Sequence, residues 1–200
     1  MAAGVSAVVD TVIKLGGSLL GRQGALEEII PHLELAGARR DRVVIVPGGG
    51  PFADTVRRLD SEIGLTDDAA HWMAILGMDQ YAQLLASRIA GTQLVAEPGE
   101  IAATLASGQL PVLAPYRWIR STDRLPHSWE VTSDSIAAWV AGELGASRLI
   151  LVKPVIGERP ALVDGYFNRA LPSHIDVTIT IARDLGRSLT FAPVVASPRS

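Results

Sequence analysis

Short apolar runs rich in valine, isoleucine and leucine alternate along the chain with longer stretches of mixed character. Ala7–Leu15 (AVVDTVIKL), closed by Gly16 and Gly17, reads as a buried strand. Ser18–Gly24 predicts a turn, and Ala25–Ala36 a helix in which Pro31 is an awkward resident. Arg42–Val46 (RVVIV) is a second buried strand that ends in Pro47-Gly48-Gly49-Gly50. A helix follows over Phe52–Glu62. A stronger one spans Asp67–Ala90, with Thr66 as its cap and acids in its first turn. Gln93–Ala96 and Leu110–Ala114 predict short strands around a helical turn at Glu100–Ala106, and Pro115–Glu130 reads as irregular. Ser133 opens a helix to Leu144, Arg148–Val152 (RLILV) is another buried strand, and the alternation over Asp176–Ile181 predicts an edge strand. Strands alternate with helices almost throughout. The pattern predicts an α/β fold, a mostly parallel central sheet covered by helices on both faces.

Composition narrows the function classes. At 200 residues the chain is expected to form a single domain, residues 1–200, large enough for a substantial core. The net charge of −3, with scattered basic residues, leaves no footprint for nucleic acid or an anionic membrane. No cysteine is present, which excludes disulfides, thiolate metal sites and a cysteine nucleophile. The N-terminus does not read as a signal peptide and no apolar run suits a bilayer, so a cytoplasmic protein is expected. Of the 18 basic side chains only Lys14 and Lys153 are lysines. A mutational bias toward arginine accounts for the other positions and makes these two informative. Each sits where a compact point charge serves and a wide planar fork does not.

Four segments carry candidate chemistry. Lys14-Leu15-Gly16-Gly17-Ser18 ends the first strand, and glycines there let backbone amides approach phosphate oxygens beside an ammonium group. Pro47-Gly48-Gly49-Gly50-Pro51 follows the second strand, so the two glycine turns would face one another across a crevice at the strands' carboxyl ends. The plainer alternative for both is a tight turn that requires glycine. At Thr132-Ser133-Asp134, either Thr132 or Ser133 caps the helix, or Asp134 enters the crevice and holds the two lysines. Lys153-Pro154 ends a buried parallel strand, which points Lys153 toward Lys14.

In this order, the four segments resemble the amino-acid kinase family, which includes N-acetylglutamate kinase and uridylate kinase. The resemblance covers Val12–Ser18, Val43–Pro51, Thr132–Ala138 and Ile150–Asp164. It implies a three-layer αβα sandwich and ATP-dependent phosphoryl transfer to a small molecule. Implied too are Mg²⁺ carried on the nucleotide, no metal site of the protein's own, and a homo-oligomer. Lys14 would contact the transferring phosphoryl group, with Gly16, Gly17 and Ser18 on the ATP phosphates. Lys153 would neutralise the bridging and leaving oxygens, Asp134 would organise both lysines, and Gly157 would lie on the nucleotide side. Gly48, Gly49 and Gly50 would hold an acceptor phosphate, near Thr132 and Ser133.

Further stretches, Asp67–Met73, Gly77–Tyr81, Leu125–Trp129 and Val163–Phe167, resemble the subgroup of methanofuran biosynthesis whose acceptor is an aminomethylfuran phosphate monoester. That implies an acceptor pocket drawn from Asp68, His71, Trp72, His127 and Trp129, with Asp67 or Asp79 as further acids for an aminomethyl cation. Met73 and Met78 read as core. The run Val155–Pro160 departs from the family's Asp-Gly stretch along the adenine site. Two alternatives stand beside the phosphate-acceptor kinase: a non-catalytic nucleotide or oxyanion binder like the molybdenum storage proteins, and a kinase for another acceptor such as a nucleoside monophosphate.

Overall fold

The computed structural model describes residues 9–154 and 162–190. Six strands, β1 (Thr11–Leu15), β2 (Val43–Pro47), β3 (Thr92–Val95), β4 (Leu110–Leu113), β5 (Arg148–Lys153) and β6 (Asp176–Ile181), form one sheet. Their order is β3-β4-β2-β1-β5-β6, and each neighbouring pair is parallel. The chain builds outward from β1 through β2 to β4 and β3, then returns to place β5 and β6 on the other side. The order therefore reverses beside β1, where open α/β sheets bind ligands at the carboxyl ends of their strands.

Because side chains alternate along a strand, the sheet has two apolar faces. Ile13 and Leu15 of β1 share one with Ile45, Ile150 and Val152, and α1 (Ala25–Ala38) covers it with Ile29 and Leu33. Val12 shares the other with Val44, Val46, Leu149 and Leu151, under Ile136, Ala137 and Val140 of α6 (Ser133–Glu143). The helix α3 (Asp67–Arg88) contributes to both cores, through Trp72, Ile75 and Met78 on one side and Tyr81, Ala82 and Leu85 on the other. The three-layer αβα arrangement is thus the predicted one. No helix of the described residues is long and apolar enough to cross a membrane.

Local chemistry accounts for the helix boundaries. Thr66 caps α3 as expected, its hydroxyl accepting from the Ala69 amide at 3.2 Å. Pro31 is tolerated inside α1 because it lies on the exposed face, where the Glu27 carbonyl it leaves unbonded meets water. The helix α2 (Gly50–Ile63) starts two residues before the expected Phe52, with Pro51 in its first turn. The expectation of irregular chain over Pro115–Glu130 is corrected: Tyr116–Thr122 form a helix, α5. Asp79 supplies the cap from α3, accepting the Tyr116 amide at 3.0 Å, and Trp118 packs on Trp139 of α6 with centroids 5.0 Å apart. Neither partner is near in sequence. Three further α-helices, α4 (Pro98–Ala106), α7 (Phe167–Ala170) and α8 (Leu185–Thr190), and two short 3-10 helices at Gly17–Gly21 and Ala182–Asp184 complete the described residues.

The two glycine turns do not face each other across a gap; they touch. A Cβ on Gly17 would lie 2.0 Å from the Gly50 nitrogen, and one on Gly48 would lie 2.4 Å from the Gly17 nitrogen. Gly50 also has φ of +54°, a conformation that disfavours any side chain. The turns form one continuous floor at the end of β1 and β2. Gly17→Ala should therefore cost about 3 kcal/mol, because the methyl meets backbone that must move. Gly21→Ala, with nothing within 4 Å of the added methyl, should stay within about 0.5 kcal/mol of wild type. Urea unfolding of both variants checks this, and equal stabilities would refute the close-contact account.

Candidate active site

Lys14 is the fourth residue of β1, opposite Val46 of β2 and Leu151 of β5. Its side chain leaves the sheet on the face that α6 covers. Lys153, two residues beyond Leu151, leaves β5 on that same face. The N-terminus of α6 meets them at the carboxyl edge of the sheet, with Asp134 in its first turn. Lys14 Nζ lies 2.8 Å from Asp134 Oδ1, and Lys153 Nζ donates to Asp134 Oδ2 at 2.5 Å. Lys14 and Asp134 are only 4% and 5% exposed. One carboxylate thus bridges both lysines of the chain.

Burial governs the charge states. It lowers the Lys14 pKa, Asp134 opposes that, and the second ammonium at Lys153 lowers it further; the outcome is below the ordinary lysine value. For Asp134 burial pushes the pKa up, but Lys14 and Lys153 together outweigh it and hold the carboxyl below its usual range. The N-terminal dipole of α6 favours the same ionised state. Asp134 is therefore a carboxylate near neutral pH.

These groups close one end of a cavity of about 260 Å³. Its floor is the paired glycine turns, with Gly17, Ser18, Gly49 and Gly50 on the surface. Gly16 and Gly48 lie behind it, and their amides are already used: Gly16 donates to the Val152 carbonyl at 2.9 Å and Gly48 to that of Leu15 at 2.8 Å. The expectation that Gly16 offers its amide to a nucleotide phosphate is corrected on that ground. The amides of Gly17, Ser18, Gly49 and Gly50 donate to no acceptor among the described residues. Free amides beside two ammonium groups make a surface built for anions.

The outer wall comes from α2, α3 and the segment before α6. Thr132, Ser133, His71 and Trp129 line it, as do Asp54, Arg57 and Asp67. Trp129 is fixed by its Nε1–H, which donates to Asp60 at 2.7 Å, and by the Arg57 guanidinium 4.8 Å from its ring centroid. Three residues expected in the pocket stand behind the wall instead, because each is engaged elsewhere. His127 bridges Asp68 at 2.5 Å and Asp123 at 2.8 Å. Trp72 carries the Arg120 guanidinium 4.4 Å from its centroid and meets Tyr116 edge-on. Met78 is core and also lines the cavity, whereas Met73 is half-exposed rather than core. Gly157 lies outside the described residues, with the whole stretch from Val155 to Pro160.

Two features escaped sequence reading. Arg22 donates to the Pro154 carbonyl at 3.2 Å and braces the turn after Lys153. Asp164, rather than the side chain of Thr132 or Ser133, caps α6: its Oδ2 accepts from the Thr132 amide at 3.0 Å and the Ser135 amide at 3.1 Å. Nothing in local spacing marks a cap so far along the chain.

His71 and His127 stack with centroids 4.3 Å apart. Burial, with the cationic neighbour His127 second, brings the His71 pKa down to about 4, while hydrogen bonding to Asp68 leads the rise at His127. Near neutrality the wall thus presents an uncharged His71. A pKa depressed from 6.5 contributes stability that is complete above pH 6.5 and lost as pH falls toward about 4. Urea unfolding at about pH 7 and pH 4.5 should show the advantage of wild type over His71→Asn shrinking on acidification; a growing advantage would contradict the assignment.

Residues 11–157 match the amino acid kinase family. The chain is 28% identical over 146 residues to the [5-(aminomethyl)furan-3-yl]methyl phosphate kinase of Methanocaldococcus jannaschii, over 73% of this chain and 66% of that protein. It therefore spans just under two thirds of that curated relative. Among solved structures it resembles the uridylate kinase of Archaeoglobus fulgidus (TM-score 0.55, 19% identity, 74% of this chain and 65% of that one). It also resembles the UMP kinase of Ureaplasma parvum (TM-score 0.57, 17% identity, 74% and 67%). With the family match running from β1 through β5 and the same fold in these structures, the chain belongs to the amino acid kinase family.

Proposed function

We propose that this protein transfers the γ-phosphoryl group of ATP to a small phosphate monoester, of the kind represented by [5-(aminomethyl)furan-3-yl]methyl phosphate, giving ADP and a diphosphate. The observation that carries the reading is the convergence of Lys14, Lys153 and the free amides of Gly17, Ser18, Gly49 and Gly50 on one cavity. Two phosphate-bearing reactants brought together there present several negative charges, and this is the part of the cavity that offsets them. In the transfer an acceptor phosphate oxygen bonds to the γ-phosphorus as the bond to the bridging oxygen breaks. Lys14 accompanies the moving phosphoryl group, Lys153 offsets charge on the leaving oxygen, and Asp134 holds both. Such chemistry needs positioning and electrostatic stabilisation above all.

A phosphate monoester with a second pKa near 6 is already largely ionised at neutral pH, so no general base is required. Gly49 and Gly50 suit the acceptor phosphate. Trp129 offers a fixed aromatic wall for a flat ring, with His71 beside it, and Asp67 a carboxylate for an ammonium group. Asp68, Trp72 and His127 support that wall from behind. Among the described residues no group of three histidine or acidic side chains is placed to hold a metal ion, and both Asp134 oxygens face lysines. In this reading Mg²⁺ travels on nucleotide phosphates and water.

Lys14→Arg should stay folded and lose about a hundredfold or more in kcat, because a planar fork cannot replace a point charge 2.8 Å from Asp134. Near-wild-type turnover would remove Lys14 from the role. Incubation with Mg-ATP and the aminomethylfuran phosphate should release ADP and a diphosphate. Turnover with UMP and none with that phosphate would reassign the acceptor, and tight molybdate binding without ADP release would point to a binding protein.

A further inference from the structure

Asp164 is absent from the cavity lining, yet its carboxylate accepts four hydrogen bonds at the start of α6. Oδ2 accepts from the Thr132 amide at 3.0 Å, the Thr132 hydroxyl at 2.6 Å and the Ser135 amide at 3.1 Å, and Oδ1 accepts from the Ser135 hydroxyl. Thr132 stands at the cap position of α6, but its hydroxyl donates outward to Asp164 instead of accepting from its own helix. The cap of α6 is therefore borrowed from a segment on the far side of β5.

That segment is itself held. Phe167, 4% exposed, sits in the core beneath α6, and the Tyr166 amide donates to the Glu130 carbonyl at 3.3 Å, just before the helix. Asp134 lies between Thr132 and Ser135, so the two gripped amides bracket the one residue that bridges the lysines. The carboxylate also adds a negative charge where two ammonium groups meet a single aspartate, and its field favours the Lys14 ammonium.

We propose that Asp164 is a positioning residue: by capping α6 from outside, it fixes Asp134 in the place where that carboxylate spans Lys14 and Lys153. A misplacement of about 1 Å in such a constellation is enough to cost roughly a hundredfold in rate. The kinetic arm of the test rests on the phosphoryl-transfer reading, and the spectroscopic arm does not.

Two lysines in the whole chain make the spectroscopic arm direct, since lysine labelled with ¹³C at Cε gives two side-chain signals. Asp164→Ala should lower kcat by about tenfold or more while the acceptor KM stays within about threefold, and both lysine signals should move. Asp164→Asn should recover most of the rate and the signal positions. Its carbonyl oxygen can take the donors of Thr132 and the Ser135 amide, while its amide donates to the Ser135 hydroxyl. In both variants the Lys14 titration midpoint should fall, because the charge that favours its ammonium is gone.

Wild-type kcat in a folded Asp164→Ala, unmoved lysine signals, or an asparagine variant as impaired as alanine would each overturn the proposal. Should the alanine variant fail to fold, Ser135→Ala takes its place. It deletes one of the four contacts and should move the lysine signals the same way by less; unmoved signals there also overturn it. A wild-type protein that turns over no acceptor would defeat the kinase reading, and the lysine signals would still decide Asp164.

Discussion

The site depends on one carboxylate, Asp134, shared by two ammonium groups in a place nearly closed to water. Bringing three charges out of water is expensive, and Coulomb attraction returns that cost only if the geometry is good. Here Oδ2 of Asp134 accepts a hydrogen bond from Lys153, while Oδ1 faces Lys14 as an ion pair at 2.8 Å without hydrogen-bond geometry. One net positive charge remains among the three. The Asp164 carboxylate partly complements it. Burial still outweighs the two carboxylates at Lys14 and holds its pKa below the ordinary lysine value.

The sheet explains how such a triad can exist at all. Lys14 and Lys153 belong to neighbouring strands, and the parallel register sets Lys14 beside Leu151. Both lysines emerge on the same face near the carboxyl edge. Parallel strands require crossovers, and the crossover before β5 delivers α6 with its N-terminus at that edge. The helix brings a dipole that favours Asp134 ionised, and the adjoining glycine turns bring free amides. Chain reversal beside β1, rather than any single motif, puts four anion-directed features within one cavity.

Much of this was legible because it is local. Buried strands ending in glycine announced themselves by apolar runs, and the scarcity of lysine marked the two positions that the fold brings together. What sequence concealed was non-local. Tyr116–Thr122 read as loop because its cap, Asp79, and its packing partner, Trp139, lie on other helices. Local pattern cannot tell a free amide from one already spent: Gly16 looks identical to Gly17 until β5 claims its N–H. The aromatic residues misled in a related way. Trp72 and His127 have chemistry suited to a ligand, but Arg120, Asp68 and Asp123 satisfy them first.

The same geometry explains why position 14 takes lysine in a chain whose basic residues are, these two apart, arginines. An arginine in place of Lys14 would bring a guanidinium whose five donors need partners, and Asp134 has one oxygen free for it, since Lys153 holds the other. The remaining donors would be buried unpaired or would press on the glycine floor, where Gly17 and Gly50 already meet backbone to backbone. A compact ammonium avoids both costs and leaves its remaining donors directed at the cavity. Lys14 is thus fixed by the space between a shared carboxylate and a floor of touching backbone. That constraint comes from the backbone and the shared carboxylate, so it belongs to the architecture of the site before it belongs to a particular substrate.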